Sequence, residues 1–417
     1  MSNQDAMSQS IPAYAGWFGA DPDLPNFKRN PHELYKHLRE TAPVNLTPGD
    51  MWRLTRHEDI QRLLKHTRAG MRDSEGLVAG MTREESAASR FILQMDPPDH
   101  DRIRRLVSKA FTPKALNALR PLVQQSIDQE LAKIDPSDTT IDVIPKLALP
   151  VPAASICAML GVPFSDKELL SEWVSLATFR IAAGAYPHMQ EKAAEALQNL
   201  IGYMMVLIED RRENPTEDIL GALVSAEEAG DRLDMEELVS NSIGLLIAGL
   251  ETTIGLIGHA MRCFARFPDQ WELLHQQPEL LDSAIEECLR FEPSVPLTIR
   301  TLHEDTEFGG IMIPKDSRVM AVLIAGNRDP AVFSNPDNFD ITRNEGRHCS
   351  FGGGIHFCLG SHLARLNTQI ALSSMVARFT HLQLNDDDIE WAPSLFRIPS
   401  KMPVQLTRRV PRTDHGQ

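Results

Sequence analysis

The chemistry-bearing residues of this chain fall into a few short runs, and the most specific is Phe351-Gly352-Gly353-Gly354-Ile355-His356-Phe357-Cys358-Leu359-Gly360. Glycines let a backbone approach a flat ligand closely, and amides free of side-chain crowding can point at a sulfur. Leu359 to Arg378 carries Ala, Leu, Ile and Met at three-to-four spacing, which predicts a helix directly after the thiol. Cys358 is therefore expected at a helix N-terminus, where the dipole and unpaired N–H groups favour the thiolate, the form that ligates a metal. Cys157, Cys263, Cys288 and Cys349 lack such a loop and read as small buried hydrophobes.

A second run, Ala248-Gly249-Leu250-Glu251-Thr252-Thr253, lies inside Asp234 to Phe267, a stretch apolar on every side and so expected to be one long interior helix. There Gly249 is expected to leave room for a ligand, and a Thr hydroxyl to bond the carbonyl one turn back. An interior carboxylate such as Glu251 is costly without a partner or a task; its plain alternative is an ion pair with an arginine. In a third run, Glu287-Cys288-Leu289-Arg290, a carboxylate and a guanidinium share one helix face.

The elements that must position these groups are mostly helical. Apolar periodicity is helical from Glu58 to Met204 and on to Phe267, with breaks at Pro97-Pro98, Thr112-Pro113 and Val162-Pro163. Val44 to Thr55 reads as a hairpin around Pro48-Gly49-Asp50, Thr298 to Ile324 as a strand-rich block, and His381 to Leu406 as extended segments with turns. The fold class expected is mainly α with a minor β-rich subdomain. No linker or repeat divides the 417 residues, so one domain is expected over 26–407, with tails at 1–25 and 408–417.

Lys and Arg number 42 against 57 Asp and Glu, a formal charge of −15 that argues against general nucleic-acid affinity. Five cysteines without a CxxC pair argue against a disulfide framework, a zinc site or an iron–sulfur site and for a reducing compartment, the cytoplasm. Residues 1–30 lack a signal or anchor pattern, and the most apolar stretch, Ile243 to Ile257, is interrupted by Glu251, Thr252 and Thr253. A soluble protein without a membrane anchor is expected.

The loop around Cys358 resembles the haem-binding loop of the bacterial soluble cytochrome P450 family, haem-thiolate monooxygenases in which one cysteinate holds the haem iron. The resemblance extends from about Pro31 to Thr407. It implies haem b (iron protoporphyrin IX) on Cys358 and oxygen activation with protons handled by Thr252 and Glu251 beside Gly249. It also implies a structural network of Glu287, Arg290 and Arg343 bracing the loop. Two haem propionates need cations; the family's positions are filled by His100 and Arg104 after Asp96-Pro97-Pro98, by Arg300 and by His356.

The resemblance further implies a hydrophobic substrate such as a terpenoid, steroid, fatty acid or polyketide. Its pocket walls would be Arg72 to Leu93, Phe179 to Met189, Ile243 to Ile247, Val295 to Leu297 and Leu395 to Ile398, with a lid hinged at Gly184 and Pro187. About sixty cysteine-free residues follow Cys358, too few for a flavin or iron–sulfur domain, so electrons are expected from a ferredoxin or flavodoxin-type donor with an NAD(P)H reductase. Arg102, Arg105, Lys109 and Lys114 are expected on one helix near the thiol, a basic docking patch on an acidic chain. Two other functions stay open: an H2O2-driven peroxygenase, in which this family replaces the acid–alcohol pair by Arg-Pro, and a haem-thiolate sensor or binding protein that needs no proton path. The Glu251-Thr252 pair disfavours both.

Overall fold

The computed structural model describes residues 29–409, apart from 48, 79–80, 110, 181–186, 229–230, 393 and 395. Gly184, Leu395 and nearly all of the two expected tails therefore lie outside the described residues.

Eight helices build the frame around the site. Helix α1 (Asp99–Ser108) buries His100, Ile103, Leu106 and Val107. The helical spacing that buries them places Arg104 one turn beyond His100 on the same face. Helix α2 (Pro113–Ala132) starts afresh behind a proline, its N-cap Thr112 accepting from the Ala115 amide at 3.2 Å. Helix α3 (Pro150–Leu160) is buried along nearly its whole length and ends at Gly161, whose φ of 62° suits a residue without a side chain. Helices α4 (Lys167–Ala177) and α5 (Gln190–Glu213) pack on each other and against α6 (Met235–Arg266). Helices α7 (Leu281–Phe291) and α8 (Ser361–Arg378) close the other side of α6.

Helix α6 has 32 residues, so it is about 48 Å long at about 1.5 Å per residue. A capping box starts it: the Glu237 amide donates to Asp234 Oδ1 at 2.8 Å, and the Asp234 amide donates to Glu237 Oε2 at 3.0 Å. By length and composition it would suffice to cross a membrane, but 67% of its most apolar window is buried inside the protein, as in a core helix. The main hydrophobic core forms around it from residues of α2, α3, α5, α7 and α8.

The β portion is a five-stranded sheet and a three-stranded one, with small hairpins. Strands β1 (Val44–Leu46) and β2 (Trp52–Leu54) form the expected antiparallel hairpin, with Val44 opposite Leu54. Strands β3 (Ala69–Gly70) and β4 (Thr140–Asp142) follow. Later in the chain come β5 (Thr298–Leu302), the hairpin β6 (Thr306–Phe308) and β7 (Ile311–Ile313), and β8 (Arg318–Ala321). The larger sheet runs β1-β2-β8-β5-β3, and its one parallel pair is β8 on β2. The smaller sheet joins β9 (Phe379–Gln383), β10 (Pro403–Arg408) and β4.

The expected strand block to Ile324 is one turn too long. The Val322 amide donates to Leu54 at the end of β2, where the sheet runs out of partner, and Leu323–Gly326 curls into a helical turn on the Val322 carbonyl. At the other end, Arg408 is the last residue of β10 rather than the first of a tail, and the Arg409 amide donates to Arg378 at 2.8 Å.

Candidate functional site

The thiol loop is held by its own backbone. The Gly352 amide donates to Cys349, the Phe357 amide to Gly354, and the Cys358 amide back to Phe351 at 3.0 Å. Gly352 and Gly354 have φ of 67° and 64°, the left-handed region that glycine tolerates. A Cβ on Gly354 would stand 2.1 Å from the Leu64 carbonyl oxygen. That glycine therefore lets the loop lie on the end of helix His57–Leu64, a protein contact where the sequence suggests a ligand contact. Helix α8 begins at Ser361 behind its N-cap Gly360, two residues later than expected. Cys358 precedes the first turn, and the Gly360 amide points at its sulfur.

Burial raises the Cys358 thiol above its ordinary range, and the Gly360 amide, Arg104 and Arg365 pull it down by less. The thiolate expected from the helix dipole alone is thus outweighed by desolvation, so a cation on the sulfur is what would secure it.

Four basic side chains gather beside this loop. Arg104 Nη2 donates to the Phe357 carbonyl at 2.9 Å, tying α1 to the residue before Cys358. The rings of His100 and His356 stand 4.4 Å apart, edge to face. Burial, then Arg300, His100 and Arg104, lower the His356 imidazole to about 3. Arg300, buried in β5, is lowered to about 10 by desolvation against a pull from Asp96, and stays charged at neutral pH. Among the described residues, Nε2 of both histidines is buried without a hydrogen-bond partner. Two buried nitrogens left over beside two arginines suit an anionic group with several acceptor oxygens, as a haem propionate has.

The centre of α6 is open on one side. Ala248 is exposed and Thr252 partly so, one turn apart in a helix whose other residues there are mostly buried. Thr252 Oγ1 donates to the Ala248 carbonyl at 2.6 Å, the bond expected one turn back. Gly249 departs from expectation: a Cβ there would stand 2.5 Å from Ile156 Cδ1, so this glycine makes room for α3 rather than for a ligand. Gly244, one turn earlier, makes room for Phe91 in the same way.

Glu251 is 6% exposed and, among the described residues, has no ion pair of the kind the arginine alternative expects. Burial pushes its carboxyl up to about 8, with hydrogen bonds to Ser175 and Thr178 lowering it by less. The group is mostly protonated at neutral pH.

Glu287, Arg290 and Arg343 come together as expected. Arg290 donates through Nε to Glu287 Oε2 at 2.6 Å and through Nη2 to Oε1 at 2.7 Å, and Arg343 Nε donates to Oε1 at 3.3 Å. Arg290 Nη1 also donates to the Asn327 carbonyl at 3.0 Å, while Asn327 Oδ1 accepts from the Cys349 amide at 2.6 Å. Asn327, which carries no motif, thus connects the network to the thiol loop.

Two further groups escape the sequence reading. Arg365 forks onto Glu286 at 2.6 and 2.8 Å and stacks on Phe351, 4.6 Å from the ring centre. Glu292 is buried among Arg397 at 2.5 Å, His32 at 3.2 Å, Arg262 at 3.6 Å and Arg328 at 3.7 Å. A duplicated acid, Glu286-Glu287, and Glu292 two residues after Arg290 are the only signals in the sequence, and neither names its distant partners.

The basic patch is smaller than expected. Arg102 pairs with the buried capping residue Glu237, so it ties α1 to α6. Lys114 belongs to α2, beyond a proline that starts a new helix. Arg105 and Lys109 are exposed at the end of α1. Of the expected pocket walls, Arg72 turns its guanidinium onto the carbonyls of Gln94, Gly76 and Ser86, a bracing role. Pro187 opens a short turn, Pro187–Met189.

Comparison with known proteins agrees with this geometry. The cytochrome P450 family model matches residues 12–278 and 268–404. The chain is 37% identical over 393 residues to vitamin D(3) 25-hydroxylase of Pseudonocardia autotrophica, covering 92% of this chain and 95% of that one. It is 34% identical over 407 residues to 6-deoxyerythronolide B hydroxylase of Saccharopolyspora erythraea, covering 92% and 98%. The solved cytochrome P450 PksS of the Bacillus subtilis 168 bacillaene polyketide synthase superposes with a TM-score of 0.84 at 32% identity, covering 93% of this chain and 99% of that one. The chain belongs to the bacterial cytochrome P450 family and is a haem-iron monooxygenase acting on small molecules.

Proposed function

We propose that the chain holds haem b through Cys358 and oxidises a hydrophobic small molecule by hydroxylation or epoxidation, with electrons from a separate ferredoxin or flavodoxin-type donor. The observation that carries this reading is the pair of buried Nε2 atoms of His100 and His356, unpartnered among the described residues, beside Arg104 and Arg300 and next to the glycine loop of Cys358. Those four side chains would take the propionates. The bound haem supplies the redox chemistry that cleaves O2 and transfers one oxygen atom to substrate.

What the chain itself does follows from its residues. The thiol loop presents one sulfur with the Gly360 amide aimed at it, which offsets the cost of charge on that sulfur. Glu251, neutral and buried, can give up a proton, and Thr252 holds its hydroxyl at the open face of α6 through the Ala248 carbonyl. Glu287, Arg290 and Arg343 fix the segment that leads into the loop. Arg105 and Lys109 form the surface that would steer an acidic donor. The names of the relatives, one acting on vitamin D(3) and one on 6-deoxyerythronolide B, support a bulky, mainly apolar substrate. Five free cysteines fit a reducing cytoplasm.

A lipophilic library screened by Soret shift, followed by NAD(P)H consumption with a surrogate ferredoxin and reductase, tests this. Ligands that shift the band and raise consumption with oxygenated product support it. Ligands that shift the band without raising consumption favour a sensor, and product formed only with H2O2 favours a peroxygenase.

A further inference from the structure

Glu286 and Glu287 are neighbours on α7, but consecutive helical residues point about 100° apart, and the two acids serve different places. Glu287 is buried in the network with Arg290 and Arg343, whereas Glu286 is 42% exposed and reaches across to α8. There Arg365 forks onto it through Nε and Nη2 at 2.6 and 2.8 Å, and His348 Nε2 stands 3.2 Å from Oε2. The Ser350 amide donates to His348 Nδ1 at 3.2 Å, which leaves the imidazole hydrogen on Nε2, to be donated to Glu286. Both partners of Glu286 lie against one ring: the Arg365 guanidinium carbon is 4.6 Å from the centre of Phe351, and the His348 ring is 5.7 Å from it. Arg365 Nη1 donates to the Ser361 carbonyl at 3.3 Å, three residues past Cys358, while the Phe351 carbonyl accepts the Cys358 amide at 3.0 Å. The guanidinium is thus held between the two ends of the thiol loop.

A half-exposed ion pair contributes little to folding, so stability does not account for three segments converging there. What the arrangement fixes is a positive charge against the loop and a negative charge on the opposite edge of the same guanidinium. We propose that Glu286 and Arg365 form a charge pair that tunes the reduction potential of the iron held at Cys358: Arg365 favours the added electron, and Glu286 holds that effect in check. Neither touches the iron, so both are positioning residues, and the inference rests on Cys358 being the haem ligand of the proposed function. Against the effect of burial, Arg365 is one of the groups that lower the Cys358 thiol, and Arg365 and His348 bring Glu286 down to about 2, so both members of the pair are charged at neutral pH.

Spectroelectrochemical titration of the haem-loaded enzyme, substrate-free and at pH 7, tests the pair. Glu286→Gln leaves the guanidinium uncompensated and should raise the potential; Arg365→Gln leaves the carboxylate and should lower it. The double variant should lie between the two and near the wild type. A merely structural clamp would shift both single variants the same way, and that result, or a potential unmoved in Glu286→Gln, overturns the proposal. The red-shifted band of the reduced CO complex, recorded for each protein, shows whether Cys358 still holds the iron. Should Arg365→Gln lose that band, Arg365→Lys takes its place: it keeps the charge without the fork and should keep the wild-type potential, and a shifted potential there overturns the pair. Absence of the band in the wild type would instead defeat the assignment of Cys358, so the two failures are distinct.

Discussion

Glu292 and Glu251 are both buried, 1% and 6% exposed, and their surroundings treat them in opposite ways. Burial opposes the charge on each. At Glu292 the opposition is overcome by Arg397, His32 and Arg262, which hold the carboxyl well below its ordinary range. Glu287 receives the same kind of enclosure from Arg290 and Arg343. At Glu251, among the described residues, only two hydroxyls answer, and burial pushes the carboxyl up to about 8. Where the chain is scaffold it matches buried charge with guanidinium forks; at the open face of α6 it leaves an acid short of partners and able to exchange its proton.

Removing a fork should hurt most. Arg290→Ala leaves Glu287 buried with its bidentate partner gone and releases the Asn327 carbonyl below the thiol loop. A loss of about 3–5 kcal/mol in urea unfolding is expected, together with weaker haem retention. A variant as stable as the wild type would mean that the network is not what holds the loop.

At the other region the effect should fall on catalysis. Thr252→Ala removes the hydroxyl held by Ala248. Product formation should drop about a hundredfold relative to electron uptake, with H2O2 released in its place. Equal coupling in variant and wild type removes Thr252 from the mechanism.

The contrast also predicts a sign. Because the folded-state carboxyl of Glu251 is raised from 4.5 to about 8, its ionisation costs stability above pH 4.5, increasingly so up to about pH 8, and costs nothing below 4.5. Glu251→Gln should therefore be more stable than the wild type at pH 8, by on the order of 2 kcal/mol, with the gap closing as pH falls to 4.5. A gap independent of pH would mean that Glu251 titrates as an ordinary carboxylate. The smallest effect is expected at the surface. Reversing Arg105 and Lys109 to Glu should slow reduction by an acidic ferredoxin several-fold at low salt, and the difference should vanish as the Debye length shrinks from about 10 Å at 0.1 M to about 3 Å at 1 M. Equal rates at low salt would place docking elsewhere.

What could be read from the sequence was what short spacing encodes. The thiol loop, the central helix, the hairpin at Val44 and the contact of Glu287 with Arg290 all depend on residues near one another in the chain. The misreadings arose where a distant partner decides the outcome. Gly249 and Gly354 were expected to serve a ligand, but α3 and the end of helix His57–Leu64 occupy the space their missing side chains leave. Arg102 was expected at a docking surface but is taken by Glu237, and a proline puts Lys114 on another helix. Asn327, Arg365 and the arginines around Glu292 have no local pattern, because a buried polar network is closed by residues from distant segments.

The reading as a whole stands on one sulfur. Cys358→Ala, purified with haem, reduced and exposed to CO, should lose the strongly red-shifted Soret band that the wild type shows, because the other four cysteines are buried in the protein core. If the Ala variant keeps that band, Cys358 is not the iron ligand.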